Sequence, residues 1–159
     1  MSARVGIVMG SSSDRPVMDA AVAALRELGV EAEVKVLSAH RTPDALREWA
    51  VGLEARGVKV VIAGAGGAAH LAGAVAAHTT LPVIGVPLAA PNSVGGGLDA
   101  LLSTAQMPRG IPVATVAVGE AGAANAGILA AQILATGDKD LGERVRAHRK
   151  AMAAKVLAQ

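Results

Sequence analysis

Cysteine, phenylalanine and tyrosine are absent from this 159-residue chain, and Trp49 is its one aromatic residue. Without cysteine there is no disulfide framework, no thiolate metal site and no thiol nucleophile. A single aromatic ring offers no platform on which successive nucleotide bases could stack. Charge is sparse too: Asp, Glu, Lys and Arg make up 18% of the residues, and none of them occurs between Val60 and Leu98. The formal net charge is only +2, and its positive excess gathers late, in GERVRAHRKAMAAK (142–155). That run reads as a solvated basic helix, so no nucleic-acid partner is expected. The charge-free stretch raises the question of a membrane span. VVIAGAGGAAHLAGAVAA (60–77) is long enough, yet four glycines and His70 interrupt it. It predicts a buried strand followed by a helix of small residues, and no membrane partner. The opening MSAR leads straight into an apolar strand, so no signal peptide is expected and the location expected is cytoplasmic.

What is present is apolar and periodic. Hydrophobic residues make up 52% of the chain, and with so little charge much of that surface is expected to lie between subunits. The length predicts one domain over 1–159. Five apolar runs predict strands: RVGIVMG (4–10), AEVKVLS (32–38), VKVVIAG (58–64), LPVIGVP (81–87) and IPVATVAVG (111–119). Between the first two, residues 14–29 carry Val17, Ala21, Ala24, Leu25 and Leu28 at helical spacing. Thr42 followed by Pro43 marks an N-cap and first helical position, opening a helix to about Gly57. The alanine-rich segment 67–79, a short helix bearing Leu98, Leu101 and Leu102 after the loop NSVGGG, and helices over 122–136 and 139–157 complete the pattern. Unbroken apolar strands joined by helical crossovers predict a parallel sheet covered on both faces. The fold class is therefore α/β: a three-layer, flavodoxin-like or Rossmann-like domain with a five-stranded parallel sheet. Its C-terminal helix, about 139–157, is expected to extend and pack on a neighbouring subunit.

In such sheets ligands gather at the carboxyl ends of the strands, beside the point where strand order reverses. The loops after the first three strands read GSSSD (10–14), SAHRT (38–42) and GAGGAAH (64–70). Backbone amides, helix N-termini, serine hydroxyls and one arginine would converge there, an inventory suited to a phosphate-bearing small molecule. Ser11 and Ser13 offer hydroxyls; Asp14 can accept from ribose hydroxyls or simply cap a helix. His40 sits where a titrating group can be used. Arg41 can pair with Asp44 or Glu48 on its own helix, or clamp a phosphate beside Ser11, Ser13 and Ser38. Gly64, Gly66 and Ala69 match G-x-G-x-x-G/A, but after the third strand and with no acidic residue before Asp99, so a dinucleotide site is not expected. Those glycines would let a ligand approach the backbone, with His70 at the end of the loop; His78 and His148 read as surface or packing residues. No G-x-x-x-x-G-K-[ST], H-E-x-x-H or nucleophile elbow occurs. Metal-independent acid–base chemistry remains.

VMGSSSD, SAHRTP, AGAGGAAHL, LPVIGVP, QMPRGIPVATVAVG and AGAANAGILAAQILA, in that order, resemble the N5-carboxyaminoimidazole ribonucleotide mutases of purine biosynthesis in their bacterial class I form. The resemblance runs from about Arg4 to Asp140. It implies a ribonucleotide 5'-phosphate substrate whose carbamate carboxylate moves from nitrogen to ring carbon C4, without ATP, metal or biotin. It assigns Ser11, Asp14 and Arg41 to substrate binding and His40 to general acid–base work, with Ser13 and Ser38 sharing the phosphate. The loop through Gly66, Gly67, Ala68 and His70 would border the base and a carbon dioxide pocket. It further implies a homo-oligomer, an octamer with shared sites. AGAGGAAHL resembles the mutases rather than related carboxylases that use free carbon dioxide. Arg15 and Ala72 stand where the family usually has Trp and Pro. Direct carboxylation by free carbon dioxide and a non-catalytic phosphate- or nucleotide-binding module are the alternatives; a flavin-dependent electron carrier would want aromatic residues that are missing.

Overall fold

The structure, a computed structural model, describes residues 4–159; the first three residues of the opening MSAR lie outside them. Five strands, β1 (Val5–Met9), β2 (Ala32–Val36), β3 (Val60–Gly66), β4 (Val83–Leu88) and β5 (Ala114–Thr115), form one all-parallel sheet in the order β2-β1-β3-β4-β5. The helices are α1 (Arg15–Glu27), α2 (Pro43–Val51), α3 (Leu71–Ala76), α4 (Leu98–Ala105), α5 (Glu120–Ala135) and α6 (Lys139–Leu157). This is the flavodoxin-like order, in which the chain steps outward from β1 to β2 and then back past β1 to β3. The reversal puts the ends of β1 and β3 side by side, with Met9 in register with Gly64.

Alternation along the strands explains the three layers. Val5, Ile7, Met9, Val60, Ile62, Ile84 and Val86 pack with α1 and α5 on one face. Val8, Val61, Ala63 and Val83 pack with α2 and α3 on the other. Burying each such aliphatic side chain stabilises the fold by about 1.5–3 kcal/mol. Two glycines set the fit. Gly64 has no Cβ to occupy the space filled by the Met18 thioether. Gly127 lets α5 close onto α1: a Cβ there would lie 2.6 Å from the Ala21 carbonyl oxygen. Helix propensity alone favours Gly127→Ala by about 1 kcal/mol, but a backbone oxygen cannot move aside as a side-chain end can. Gly127→Ala is therefore expected to destabilise by about 1–3 kcal/mol, read as a lower denaturant midpoint; an unchanged or higher midpoint would show that the two helices slide apart freely.

The predicted elements hold with adjustments of physical origin. Met18, with Ala21, Ala24, Leu25 and Leu28, forms the buried stripe of the first helix region, and Val17 is only half-buried. The helix expected over 42–57 stops at Val51 and resumes as a 3-10 turn, Glu54–Arg56, which Gly57 ends at a left-handed φ of 88°. The alanine-rich segment yields helix only over Leu71–Ala76. The strand expected over 111–119 has a regular ladder at Ala114–Thr115 alone. Pro112 has no amide hydrogen to donate, and Gly119 turns at φ 81°. The segment still follows β4, because Val116 N–H donates to the Gly85 carbonyl (3.1 Å) and Gly119 N–H to that of Pro87 (2.9 Å).

The single aromatic ring is structural. Trp49 is buried and its indole N–H donates to Glu33 Oε1 at 2.7 Å, while Arg56 Nη2 donates to the same oxygen at 2.9 Å. That arginine holds the Glu33 carboxyl below the usual carboxylate range. On the α1 and α5 face of the sheet, Asp138 caps α6 through Leu141 N–H (3.0 Å) and receives Arg4 (2.7 Å), and Arg144 donates to the Leu28 carbonyl (2.9 Å). Leu141 is fully buried, whereas every residue from Arg149 onward is exposed, so the last turns of α6 extend from the body. No helix among the described residues is long and apolar enough to cross a membrane.

Candidate active site

Three strand ends build the site. After β1, Ser11 opens a 3-10 turn (Ser12–Asp14) that runs into α1, and it does so as half of a capping box. The Ser11 hydroxyl accepts from Ser13 N–H at 3.3 Å, and Asp14 Oδ2 accepts from Ser11 N–H at 3.0 Å. The Ser13 hydroxyl lies 2.9 Å from that of Ser11, so two hydroxyls stand together at the start of the helix. Capping and ligand binding are thus compatible uses of GSSSD, since Asp14 Oδ1 has no hydrogen-bond partner among the described residues. Partial burial pushes the Asp14 carboxyl up, against the lowering effects of Ser11 N–H and then the nearby Arg41.

After β2, residues 38–42 form a compact turn. Arg41 N–H donates to the Ser38 hydroxyl at 3.1 Å, and Arg41 Nε lies 3.4 Å from the same oxygen. Arg41 Nη2 donates to the Gly10 carbonyl at 3.1 Å, bridging the ends of β2 and β1. Neither Asp44 nor Glu48 holds this guanidinium, so its charge faces the strand ends and Nη1 keeps its protons for a ligand.

After β3, Gly67 adopts φ 60°, and a Cβ added there would meet nothing within 4 Å, so its glycine requirement is conformational. Gly66 answers to packing: a Cβ there would be 3.0 Å from the Leu88 carbonyl oxygen of β4. The glycines expected to admit a ligand therefore have prior duties in the backbone. The chain then reaches His70, whose Nδ1 lies 2.9 Å from His40 Nε2, with the rings edge to face at a centroid distance of 5.0 Å. At that distance one nitrogen carries the proton and the other accepts it.

These walls enclose a cavity of 460 Å3 lined by Ser11, Asp14, Ser38, His40 and Arg41 on one side and by Gly66, Gly67 and Ala68 on the other. Ser13 and His70 do not line it; each is exposed at its edge and tied to a residue that does. The structure adds a fourth loop. Ala90 and Asn92, after β4, complete the wall because β4 is the next strand beyond β3. Their signal in the sequence is the position after an apolar strand, at the carboxyl edge where ligands gather. Among the described residues no group of three or more His, Cys, Asp or Glu could hold a metal ion. His78 is exposed away from the cavity, and His148 Nδ1 lies 3.7 Å from Glu27.

The raised pKa of Asp14 has a stability consequence with a definite sign. Between its unfolded and folded pKa the native state binds more protons, so stability falls as pH rises through that window. Above the folded pKa the desolvated charge is a constant cost. Asp14→Asn keeps an acceptor for Ser11 N–H and removes the charge, so it should raise the melting temperature at pH 7 and lose that advantage below the unfolded pKa. A variant that melts lower at pH 7 would mean the carboxylate stabilises its surroundings.

Comparison with known proteins bears directly on this arrangement. The AIR carboxylase family matches residues 4–155. N5-carboxyaminoimidazole ribonucleotide mutase of Vibrio vulnificus is 56% identical over 155 residues, covering 98% of this chain and 95% of that protein. Proteins of the same name from Bacillus subtilis and Escherichia coli K12 are each 55% identical, over 94% and 98% of this chain and 91% and 90% of theirs. The crystal structure of Treponema denticola PurE superposes with a TM-score of 0.85 at 30% identity, over 97% of this chain and 94% of that one. The family match over nearly the whole chain and relatives more than half identical along it show that the chain belongs to the AIR carboxylase family.

Proposed function

We propose that this enzyme converts N5-carboxyaminoimidazole ribonucleotide to 4-carboxy-5-aminoimidazole ribonucleotide, acting as an intramolecular carboxyl-transferring mutase in purine biosynthesis. The observation that carries the proposal is the convergence of His40, Arg41, Ser11 and Asp14 on one cavity whose far wall is glycine backbone. Arg41 and the hydroxyls of Ser11, Ser13 and Ser38 suit the 5'-phosphate, and Asp14 suits the ribose hydroxyls. Gly66, Gly67 and Ala68 offer a surface without side-chain bulk on which the base and a molecule of carbon dioxide can lie.

The chemistry balances with one proton. Breaking the carbamate C–N bond releases carbon dioxide and needs a proton on the departing nitrogen. The resulting aminoimidazole has an enamine-like C4, whose electron pair attacks the retained carbon dioxide and forms the new C–C bond. Loss of the C4 proton restores aromaticity and returns what the nitrogen received. An imidazole, which ordinarily titrates near neutrality, can give and retake that proton. In this reading His40 gives and retakes the proton, and its 2.9 Å contact with His70 supports a proton passing between the two rings. Retaining carbon dioxide beside C4 supplies the effective concentration that free gas lacks.

The family description speaks of carboxylation, while the relatives at 55–56% identity are called mutases. Presenting the purified protein with each substrate in turn separates the two: rapid product from the N5-carboxylated ribonucleotide, and slow product from aminoimidazole ribonucleotide with bicarbonate, is the expected result. The reverse order of rates would make it a carboxylase, and tight binding with neither product would make it a binding module.

The proposal includes a homo-oligomer, an octamer, located in the cytoplasm. Support comes from apolar side chains left in solvent at Leu98 and Leu102 of α4 and at Met152, Val156 and Leu157 of α6. Light scattering of the purified chain gives the subunit number directly.

A further inference from the structure

Thr42 stands at the N-cap of α2, where a threonine hydroxyl ordinarily accepts a hydrogen bond from an amide of the first helical turn. It makes no such bond. Its hydroxyl turns back to Ser38 instead, accepting from the Ser38 N–H at 2.9 Å and donating to the Ser38 carbonyl at 3.1 Å. The Thr42 N–H donates to the same carbonyl at 2.9 Å. A hydroxyl has one proton to give, and here it goes to Ser38 while the N–H of Ser38 comes back. Both backbone groups of Ser38 are therefore held by one side chain four residues away.

Ser38 in turn carries Arg41. Its hydroxyl accepts from the Arg41 N–H (3.1 Å) and lies 3.4 Å from Arg41 Nε. Because it accepts in both contacts, the Ser38 hydroxyl keeps its own proton for a ligand. His40 lies at the centre of a segment whose two ends, Ser38 and Thr42, are tied to each other, and the Ser38 hydroxyl also holds Arg41, the residue after the imidazole. Packing does not account for the threonine, since Thr42 is exposed. It lines not the main cavity but a smaller one of 360 Å3 beside it, and Gly10, Ser11, Ser38 and Arg41 line both.

We infer that Thr42 is a positioning residue of the reaction: its hydroxyl fixes the backbone of Ser38 and thereby the placement of His40 and Arg41. The inference rests on the function proposed above for the acid–base and phosphate-binding roles of those two residues. Thr42→Val keeps the shape and removes the hydroxyl, leaving the Ser38 N–H without its partner. Thr42→Ser keeps the hydroxyl and removes the methyl.

The test combines steady-state kinetics on the N5-carboxylated ribonucleotide, amide exchange of residues 38–42 in the intact ligand-free protein, and melting temperature. Thr42→Val is expected to lower kcat/KM by about 10–100-fold, as a displacement approaching 1 Å does, with kcat falling and KM rising together. Exchange of the Ser38 and Arg41 amides should quicken, and Thr42→Ser should restore both kinetics and exchange. The inference is overturned if Thr42→Val keeps the parent's kcat and KM. It is equally overturned if Thr42→Ser is as impaired as Thr42→Val, or if the loss follows a lowered melting temperature with exchange at 38–42 unchanged. A parent protein with no turnover would remove the functional reading instead; exchange alone would then decide whether Thr42 holds the turn, and equal rates in parent and Thr42→Val would overturn that.

Discussion

His40→Asn should lower turnover of the N5-carboxylated ribonucleotide by about 10²–10⁴-fold while changing its dissociation constant little. Asparagine keeps polar atoms beside the cavity but is too short to reach His70 from the position of Nε2, and its amide neither gives nor takes a proton near neutral pH. Both halves of the proposed reaction depend on such a transfer: the nitrogen must be protonated as the carbamate breaks, and the C4 proton must leave afterwards. The phosphate and ribose are held elsewhere, by Arg41, the serines and Asp14, so binding is not the step that suffers. Stopped turnover with retained binding is therefore the signature of acid–base loss. If His40→Asn keeps parental kcat, the proton comes from another group and the role assigned to His40 is wrong. A large rise in dissociation constant with kcat unchanged would make His40 a binding residue.

Arg41 gives the second large effect, with the opposite division between binding and turnover. Its guanidinium is already oriented by two protein oxygens, the Ser38 hydroxyl and the Gly10 carbonyl. Those contacts leave Nη1 to meet a phosphate in a fixed direction, so little rotational freedom is lost when the ligand arrives. A charge-assisted hydrogen bond of this kind contributes roughly 1.5–3 kcal/mol, so Arg41→Met should raise KM by about 10–100-fold. Arg41→Lys should recover only part of that, because an ammonium cannot reach Gly10, Ser38 and the phosphate at once. Removing Arg41 also removes a positive charge that favours ionised Asp14. The expected companion result is weaker dependence of binding on salt in both the Met variant and the phosphate-free substrate. A Lys variant with parental KM would mean that charge alone, without the fork geometry, recognises the phosphate.

The fold was legible in the sequence wherever burial on both faces leaves no choice of pattern. β1, β3 and β4 are continuous apolar runs because each is covered on both sides, and the helix expected at 139–157 is the helix observed at Lys139–Leu157. The pattern misleads at the sheet edge. Residues 111–119 are as apolar as a central strand, but Pro112 and the exposed flank of β5 reduce the ladder to Ala114–Thr115. Spacing also could not choose between Val17 and Met18, because the choice depends on the groove that Gly64 leaves on β3.

The site shows the same division. Ser11, Asp14, Ser38, His40, Arg41, Gly66, Gly67 and Ala68 were all indicated by their places at strand ends, and they line one cavity. Two features had no signal along the chain, and a third, Asn92, only the general one of lying at a strand's carboxyl end. The His40–His70 contact joins residues thirty apart, and only the adjacency of loops on the folded sheet brings them to 2.9 Å. Asn92 lies in a loop after β4, one strand beyond the reversal point, and reaches the cavity because β4 pairs with β3. Thr42 has the sequence signature of a helix cap, and its hydroxyl is used on Ser38 instead. Local preference names the residue at such a position; the competing partner in space decides what the side chain does.

The central claim is that carbon dioxide released from the carbamate stays in the cavity until C4 captures it. The most direct measurement is the conversion of the N5-carboxylated ribonucleotide in the presence of isotopically labelled bicarbonate, following both 4-carboxylated product and its label. Rapid formation of product without label is predicted. Product carrying label at the level of the bulk pool would contradict the claim and identify an enzyme that draws on free carbon dioxide.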